Sequence, residues 1–260
     1  MLSVPLKYSE ANAKLKNMAK VARLVKFLTC KGKRNRKIFS LDLLAGFSCP
    51  FAEQCLSKVK QTDDGLKIVD GPKTEFRCFS ASQEAIYTNT YKRRKSNMDY
   101  LQESKTVEDI ADKLCLALPK NAGIVRIHVS GDFYNEAYFL AWLEVANRNP
   151  DRLFYAYTKS LGWWVKHRDN IPKNLVLTAS YGGRQDHLIE EHGLRYVKVV
   201  YSVDEAKQLG LKIDSNDSFA ANPNWRDKSF ALLIHGIQPK GSEAGKAVSA
   251  LNGKGSYSRK

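Results

Sequence analysis

No apolar run in the 260 residues approaches the roughly 20 needed to cross a bilayer, so the sequence offers no membrane span. The opening MLSVPLKYSEANAK turns polar too early for the apolar centre of a secretory leader. A soluble, intracellular protein is the expectation, placed in the cytoplasm, where cysteines stay reduced unless they bind metal. Cysteine is sparse: five residues, none in a C-x2-C pair, and no ligand-spaced His pair accompanies them, which excludes a zinc ribbon. No repeat of 20–50 residues is present beyond an alternation of strands and helices. Acids are also few, 27 against 42 Lys and Arg, for a net charge of +15.

What is present begins with that charge. Residues 1–40 carry eight Lys and three Arg against Glu10 alone, so this stretch supplies +10 of the total. Ser9–Leu28 reads as one amphipathic helix with Ser9 as its N-cap and an apolar stripe of Leu15, Met18, Ala22 and Val25. Lys14, Lys16, Lys20, Arg23 and Lys26 fill much of the rest of its circumference. Lys31, Lys33, Arg34, Arg36 and Lys37 follow within seven residues, and Lys92, Arg93, Arg94 and Lys95 form a second cluster. Such a field attracts polyanions, nucleic acid first and DNA above all. A membrane surface is not expected, because Phe27 is the only aromatic on the apolar face.

From about residue 121 the pattern becomes strand, turn, helix. Strands are expected at Ile124–Val129, Leu153–Tyr157, Asn174–Ala179, Tyr196–Tyr201 and Phe230–His235, with a first one at Lys37–Leu43. Helices fall between them at Asn135–Asn147, Leu161–Arg168 and Asp204–Gln208, and a last one at Glu243–Leu251. The charged stretch 57–75 reads as a loop or small hairpin. Six parallel strands predict an α/β fold, either an incomplete (β/α) barrel or an open parallel sheet, with a basic N-terminal helix. The division is a basic helix and arm at 1–36 and a single α/β domain at 37–260, with cysteine loops at 46–80. Function in either architecture sits at the carboxyl ends of the strands, where Asp132, Lys159, Ser180, Tyr181, Tyr201, Ser202 and His235 stand.

Cys49, Cys55 and Cys78 are spaced C-x5-C-x22-C in two loops. Three readings stay open on spacing alone: half-buried reduced thiols, zinc, or an iron–sulfur cluster, for which three thiolates from two loops are well suited. A four-iron cluster needs a fourth ligand or leaves a corner open. Cys30 is the first candidate, ahead of Cys115, whose leucine neighbours mark it as a core residue.

The segments SLDLLAGFSCPFAEQC (40–55), FRCFSASQEA (76–85), RIHVSGDF (126–133) and LFYAYTKSL (153–161) resemble, in that order, the phage "gene product 88" domain family. The resemblance implies a phage or prophage origin, hence a bacterial host cytoplasm, and implies that Cys49, Cys55 and Cys78 act as a set. A weaker, fold-level likeness is to radical S-adenosylmethionine enzymes, which also carry three cysteines after a first barrel strand. Their compact C-x3-C-x2-C loop is not matched here.

The function expected first is an iron–sulfur protein that binds DNA and nicks or cleaves it. In that reading Asp132 holds a divalent cation such as Mg or Mn, His128 or His235 serves as general base or acid, and Lys159 stabilises phosphate charge. His128 and Asp132, four residues apart, are expected on one side of their strand. The tyrosines 155, 157 and 181 are expected to stack on bases. Clustered carboxylates are missing: only Glu136 and Asp186 supplement Asp132. The alternatives are a non-catalytic nucleic-acid binder with a structural metal centre, and a diverged enzyme of the S-adenosylmethionine type.

Overall fold

The computed structural model describes residues 6–251. The chain opens with a short strand, β1 (Ser9–Glu10), and two helices, α1 (Ala13–Met18) and α2 (Ala22–Leu28), then β2 (Lys37–Leu41). An insertion follows: a hairpin of β3 (Ser57–Thr62) and β4 (Gly65–Asp70), then α3 (Phe79–Ile86), α4 (Thr88–Gln102) and α5 (Val107–Ala117). The alternating half runs β5 (Ala122–Ile127), α6 (Glu136–Arg148), β6 (Leu153–Thr158), α7 (Leu161–Lys166), β7 (Leu175–Ser180), α8 (His187–Glu191) and β8 (Tyr196–Val200). It ends with α9 (Val203–Gln208), β9 (Lys212–Ile213), α10 (Ser218–Ala221), β10 (Phe230–Leu233) and α11 (Glu243–Ala250).

One sheet holds eight strands in the order β1-β2-β5-β6-β7-β8-β10-β9. β1 is antiparallel to β2 and every other pair is parallel. The six strands read from the sequence are therefore neighbours in chain order, with no reversal of direction along the sheet. Side-chain alternation shows how the sheet is wound. Phe39, Leu41, Val125, Ile127, Phe154, Ala156, Leu175 and Leu177 face one side and pack on α4, α5 and α6. Ala179 meets α7 and α8 on that side, and Val200, Ala231 and Leu233 meet α9. The crossover helices α4 to α9 thus cover one face. A doubly wound sheet places them on both faces; a (β/α) barrel places them on its outside. The sheet has the winding of a barrel and stays open, with β1 and β9 at its edges.

The inner face carries Ile38, Ile124, Tyr155, Val176, Val197 and Phe230. Leu15, Met18, Leu24 and Leu28 from α1 and α2, with Ala220 and Ala221 from α10, cover them. The N-terminal segment is therefore packed into the sheet. It is two helices where one was expected, because Ala19–Val21 breaks the periodicity, and Asn12, not Ser9, caps α1 by accepting from the Leu15 N–H. Residues 30–33 then form a tight reversal in which Lys31 and Gly32 both have positive φ, as a two-residue turn of the primed type requires. Gly123 in β5 has no side chain for a steric reason: a Cβ there would meet the Phe27 carbonyl oxygen at 2.1 Å.

Candidate metal centre and adjoining chamber

Cys49 lies in the loop after β2, Cys55 just ahead of β3, and Cys78 directly before α3. The hairpin spans most of the 22 residues between Cys55 and Cys78. Its closing pair is Ser57 with Asp70, and the Cys78 N–H donates to Ser57 Oγ at 3.3 Å. A long gap in sequence is thereby short in space. Gly46 is held close to the same hairpin, since a Cβ would meet the Ser57 carbonyl oxygen at 2.5 Å, and its φ is +71°.

Cys49 and Cys78 feel the neighbouring thiols. Burial raises the Cys49 thiol well above its ordinary pKa, and Asp132, Cys78 and Cys55 add to the rise. Burial, then Cys55, lifts Cys78 to about 11, against hydrogen bonds from the Ala81 and Ser80 backbone N–H groups. Cys49 and Cys78 are therefore protonated at neutral pH and not poised as nucleophiles, whereas coordination to a metal deprotonates a thiol outright. Among the described residues no group of three or more His, Cys, Asp or Glu side chains is arranged to hold a metal ion.

Cys30 is not part of this set. It pairs with Lys33 in the turn before β2, at the amino end of the strand, and its field acts on Arg36. The five residues of β2 separate the two ends by about 17 Å at roughly 3.3 Å per residue. Strand direction decides this point, and spacing in sequence does not carry it. Cys115 packs at the edge of the outer-face core.

Beside Cys55 and Cys78, on the uncovered carboxyl half of the inner face, is a chamber of about 150 Å³. Arg77, Arg126, Tyr157, Lys159, Ser180 and His235 are its polar walls, and Phe76, Phe79, Val197, Val199, Leu232 and Ile234 make the rest largely apolar, without a carboxylate. It adjoins a wider groove of about 460 Å³, with which it shares Phe76 and Val199 and where Glu75, Glu205 and Glu243 stand. Arg126 donates to Asp217 and to the His128 carbonyl and lies over the Tyr157 ring at 4.9 Å. His235 packs against Phe79 with ring centroids 4.8 Å apart.

Of the four expected catalytic residues, Lys159 and His235 share the chamber and the other two do not. His128 departs from the expectation. Its φ of +69° breaks the strand alternation, and its Nε2 pairs with the Tyr138 hydroxyl on α6, on the outer side. Burial, then Arg126, lowers its pKa to about 3, so it stays neutral where a general base must exchange protons. Asp132 is buried as a bracket between strand ends. Its Oδ1 accepts from Thr158 Oγ1 and the Phe133 N–H, and its Oδ2 from the Lys159 N–H. Burial outweighs these bonds and raises it to about 6. The supplementary acids lie elsewhere: Glu136 binds Lys166 and His167, and Asp186 accepts from the Gly182 and Gly183 N–H groups. Tyr155 donates to Asp217 and is buried, so it presents no surface for a base.

The basic residues divide similarly. Lys20, Arg23, Lys31, Lys33 and Arg34 are exposed on the amino-terminal segment, and Lys92 and Arg93 on α4. Lys14's side chain lies outside the described residues. Arg36 is bound to Asp151 and Lys37 to Glu10. Arg94 is a correction: it is 4% exposed and pairs with the buried Glu84 at 3.0 Å, so it is a core residue unavailable to phosphate. Four cations in a row on a helix cannot all face solvent, and position 94 shares the inward side with Asn97, Met98 and Leu101.

Arg126 and Glu84 escaped the reading from sequence. The alternation on β5 places Arg126 on the inner face, which was a usable signal; no pattern marks Glu84. Among the described residues no helix is long and apolar enough to cross a membrane. A family model described as "Gene product 88" matches residues 6–252. No curated protein and no solved structure matches the chain.

Proposed function

The chain belongs to the gene product 88 family, and on that premise we propose that it is an iron–sulfur enzyme of the S-adenosylmethionine type, working in the cytoplasm of a phage-infected bacterium. Cys49, Cys55 and Cys78 would hold three corners of a four-iron cluster and leave the fourth to a ligand in the chamber. The observation that carries this reading is that Cys49, Cys55 and Cys78 lie within electrostatic reach of one another, all from the interval between the first and second parallel strands, with Cys55 and Cys78 lining a chamber on the inner face of a barrel-wound sheet. Such a cluster, when bound, supplies one-electron chemistry at its open iron. The chain's own residues do the rest: the apolar walls exclude water, and Lys159, Ser180 and Tyr157 present polar atoms to the ligand.

The test begins with anaerobic purification, iron and sulfide analysis and a visible spectrum. A broad band near 400 nm, with about four iron per chain, is expected, and it should be lost in Cys49→Ala, Cys55→Ala and Cys78→Ala but kept in Cys30→Ala. Reduction with dithionite in the presence of S-adenosylmethionine should then release 5′-deoxyadenosine. A colourless protein with neither iron nor zinc would sink the proposal.

A second reading has its own support. Lys20, Arg23, Lys31, Lys33 and Arg34 form an exposed basic surface at the amino-terminal end of the strands, which suits a nucleic acid. It stands away from the chamber, so grip and chemistry would occupy opposite ends of the sheet. Cleavage of DNA would need a divalent cation, Mg or Mn, and its first-choice ligand Asp132 already spends both oxygens on protein donors. Plasmid nicking that depends on such a cation and disappears in Asp132→Ala and Lys159→Ala would favour the nickase over the radical enzyme.

A further inference from the structure

A groove of about 400 Å³ lies at the amino-terminal end of the sheet, away from the chamber. Val21, Ala22 and Arg23 at the start of α2 form one wall, and Phe219, Asn222 and Trp225 form the other. No carboxylate lines it. Trp225 lies flat on Phe219, with ring centroids 3.9 Å apart and planes 19° from parallel. Both rings are half-buried. The Lys228 and Lys212 ammonium groups stand over the Trp225 ring, 5.4 and 5.9 Å from its centre. Arg23, Lys212 and Lys228 are all exposed.

The aromatic pair is fixed from beneath. The segment that carries it is a four-residue helix and a turn, too short to hold itself. Buried polar groups hold it instead. Arg195, 4% exposed, donates to the Phe219, Ala220 and Trp225 carbonyls at 3.2, 3.0 and 2.9 Å. Asp214, 1% exposed, accepts from the Phe219 and Ala220 N–H groups at 2.8 and 3.2 Å. Asp217 is turned inward as well, paired with Arg126. Between residues 212 and 228 only Asp227 is an exposed acid, against Lys212, Arg226 and Lys228. Rings held this firmly lose little freedom when a ligand binds them.

The groove also continues the basic amino-terminal surface. Arg34 donates to the Ala19 carbonyl, two residues before the wall at Val21, and Lys20 and Arg23 flank Val21 in the chain. Phosphates are gripped by such cations whatever the strand, whereas stacking on an indole needs an unpaired base.

We propose that this groove binds single-stranded nucleic acid, with one base stacked on the Trp225 face that Phe219 leaves open and the flanking phosphates on Arg23, Lys212 and Lys228. The assignment rests on the nucleic-acid reading given above and adds to it the form of the ligand and the residue that selects it. The exposed lysines, long and mobile, move from the ring to the phosphates when the base arrives.

The test measures equilibrium binding of the full-length protein to oligothymidylate, oligouridylate, an abasic sugar-phosphate strand of equal length and a duplex. A base-bearing strand should bind at least about fivefold more tightly than the abasic one, the lower end of what one stacked base contributes. The preference between the first two probes identifies DNA or RNA as the source. Stacking should also quench tryptophan fluorescence, and a duplex, whose bases stack on one another, should leave it unchanged. Trp225→Leu, which keeps an apolar contact with Phe219, should erase both the advantage and the quenching, and Trp225→Phe should retain the advantage without the quenching. Replacing the exposed Lys212 and Lys228 together by Ala should lower the log–log salt slope by about 1.4, near 0.7 for each single-strand phosphate. Equal binding of base-bearing and abasic strands, or quenching by the duplex to the same extent, would show the stacking site to be wrong while nucleic-acid binding stands. If no probe binds at low salt, the nucleic-acid reading fails and the groove's assignment falls with it.

Discussion

Asp132 and His128 are four residues apart, and burial moves their pKa values to opposite effect. Asp132 rises from an ordinary 3.8 to about 6 because desolvation exceeds the help of its donors. The folded state then binds a proton more tightly than the unfolded chain, so this group's contribution to stability falls as pH rises from about 3.8 to 6. His128 drops from 6.5 to about 3 through burial and the nearby Arg126. Here the unfolded state binds the proton more tightly, so stability rises with pH between about 3 and 6.5 and is complete above that window. Urea unfolding at half-unit steps from pH 4 to 7 separates the two. Relative to the parent, Asp132→Asn should remove a downward slope with pH, and His128→Asn, which tolerates a left-handed backbone, should remove an upward one. Equal slopes in parent and variants would show that neither group titrates as its surroundings dictate.

At the scale of elements, the hairpin β3–β4 is what gathers the cysteines. Gly46→Ala would drive a Cβ into the Ser57 carbonyl at a positive φ, pushing the hairpin off the cysteine loop. Melting should fall by several degrees, in line with about 1–3 kcal/mol for overpacking, and retained iron should drop below half of the parent's. Full iron loading in this variant would mean that the hairpin does not set the thiol geometry. The elements of the alternating half were legible because each buried strand is a short β-branched run between turn residues. Ile124–Val129 became Ala122–Ile127 and Phe230–His235 became Phe230–Leu233, shifts of two residues at ends where hydropathy changes little. The helix α4 was not legible: TNTYKRRKSNMDYLQ is polar almost all round, and only Arg94, Asn97, Met98 and Leu101 go inward. The site divides the same way. The strand ends that carry Lys159 and His235 can be read from alternation, whereas the left-handed turn that sends His128 outward, and the proximity of Cys78 to Cys55, are tertiary facts.

Over the whole molecule, positive charge and chamber lie at opposite ends of the same strands. Substituting Lys31, Lys33 and Arg34 together by Ala should leave melting and any visible spectrum intact, because all three side chains are exposed. Binding to DNA should weaken, and its log–log salt slope should fall by about 2 to 3, near 0.9 for each phosphate no longer neutralised. An unchanged slope would show that the amino-terminal turn does not touch phosphate.

The first parallel pair, β2 with β5, joins strands separated by residues 42–121, whereas β5 and β6 are separated only by residues 128–152. Closing the longer interval costs about 1 kcal/mol more in chain entropy, at roughly 0.6 per doubling of length. Distant pairings of this kind form slowly, while a hairpin and neighbouring helices form from local contacts. Refolding should therefore reach a stage with β5 to β10 assembled and the first strand still unseated. All three cysteines belong to the unclosed interval at that stage, more open to oxidants than in the finished fold, where Cys49, Cys55 and Cys78 are half-buried. The yield of refolded protein should consequently depend on reductant only during that slow phase, and become insensitive to it once the first strand has docked.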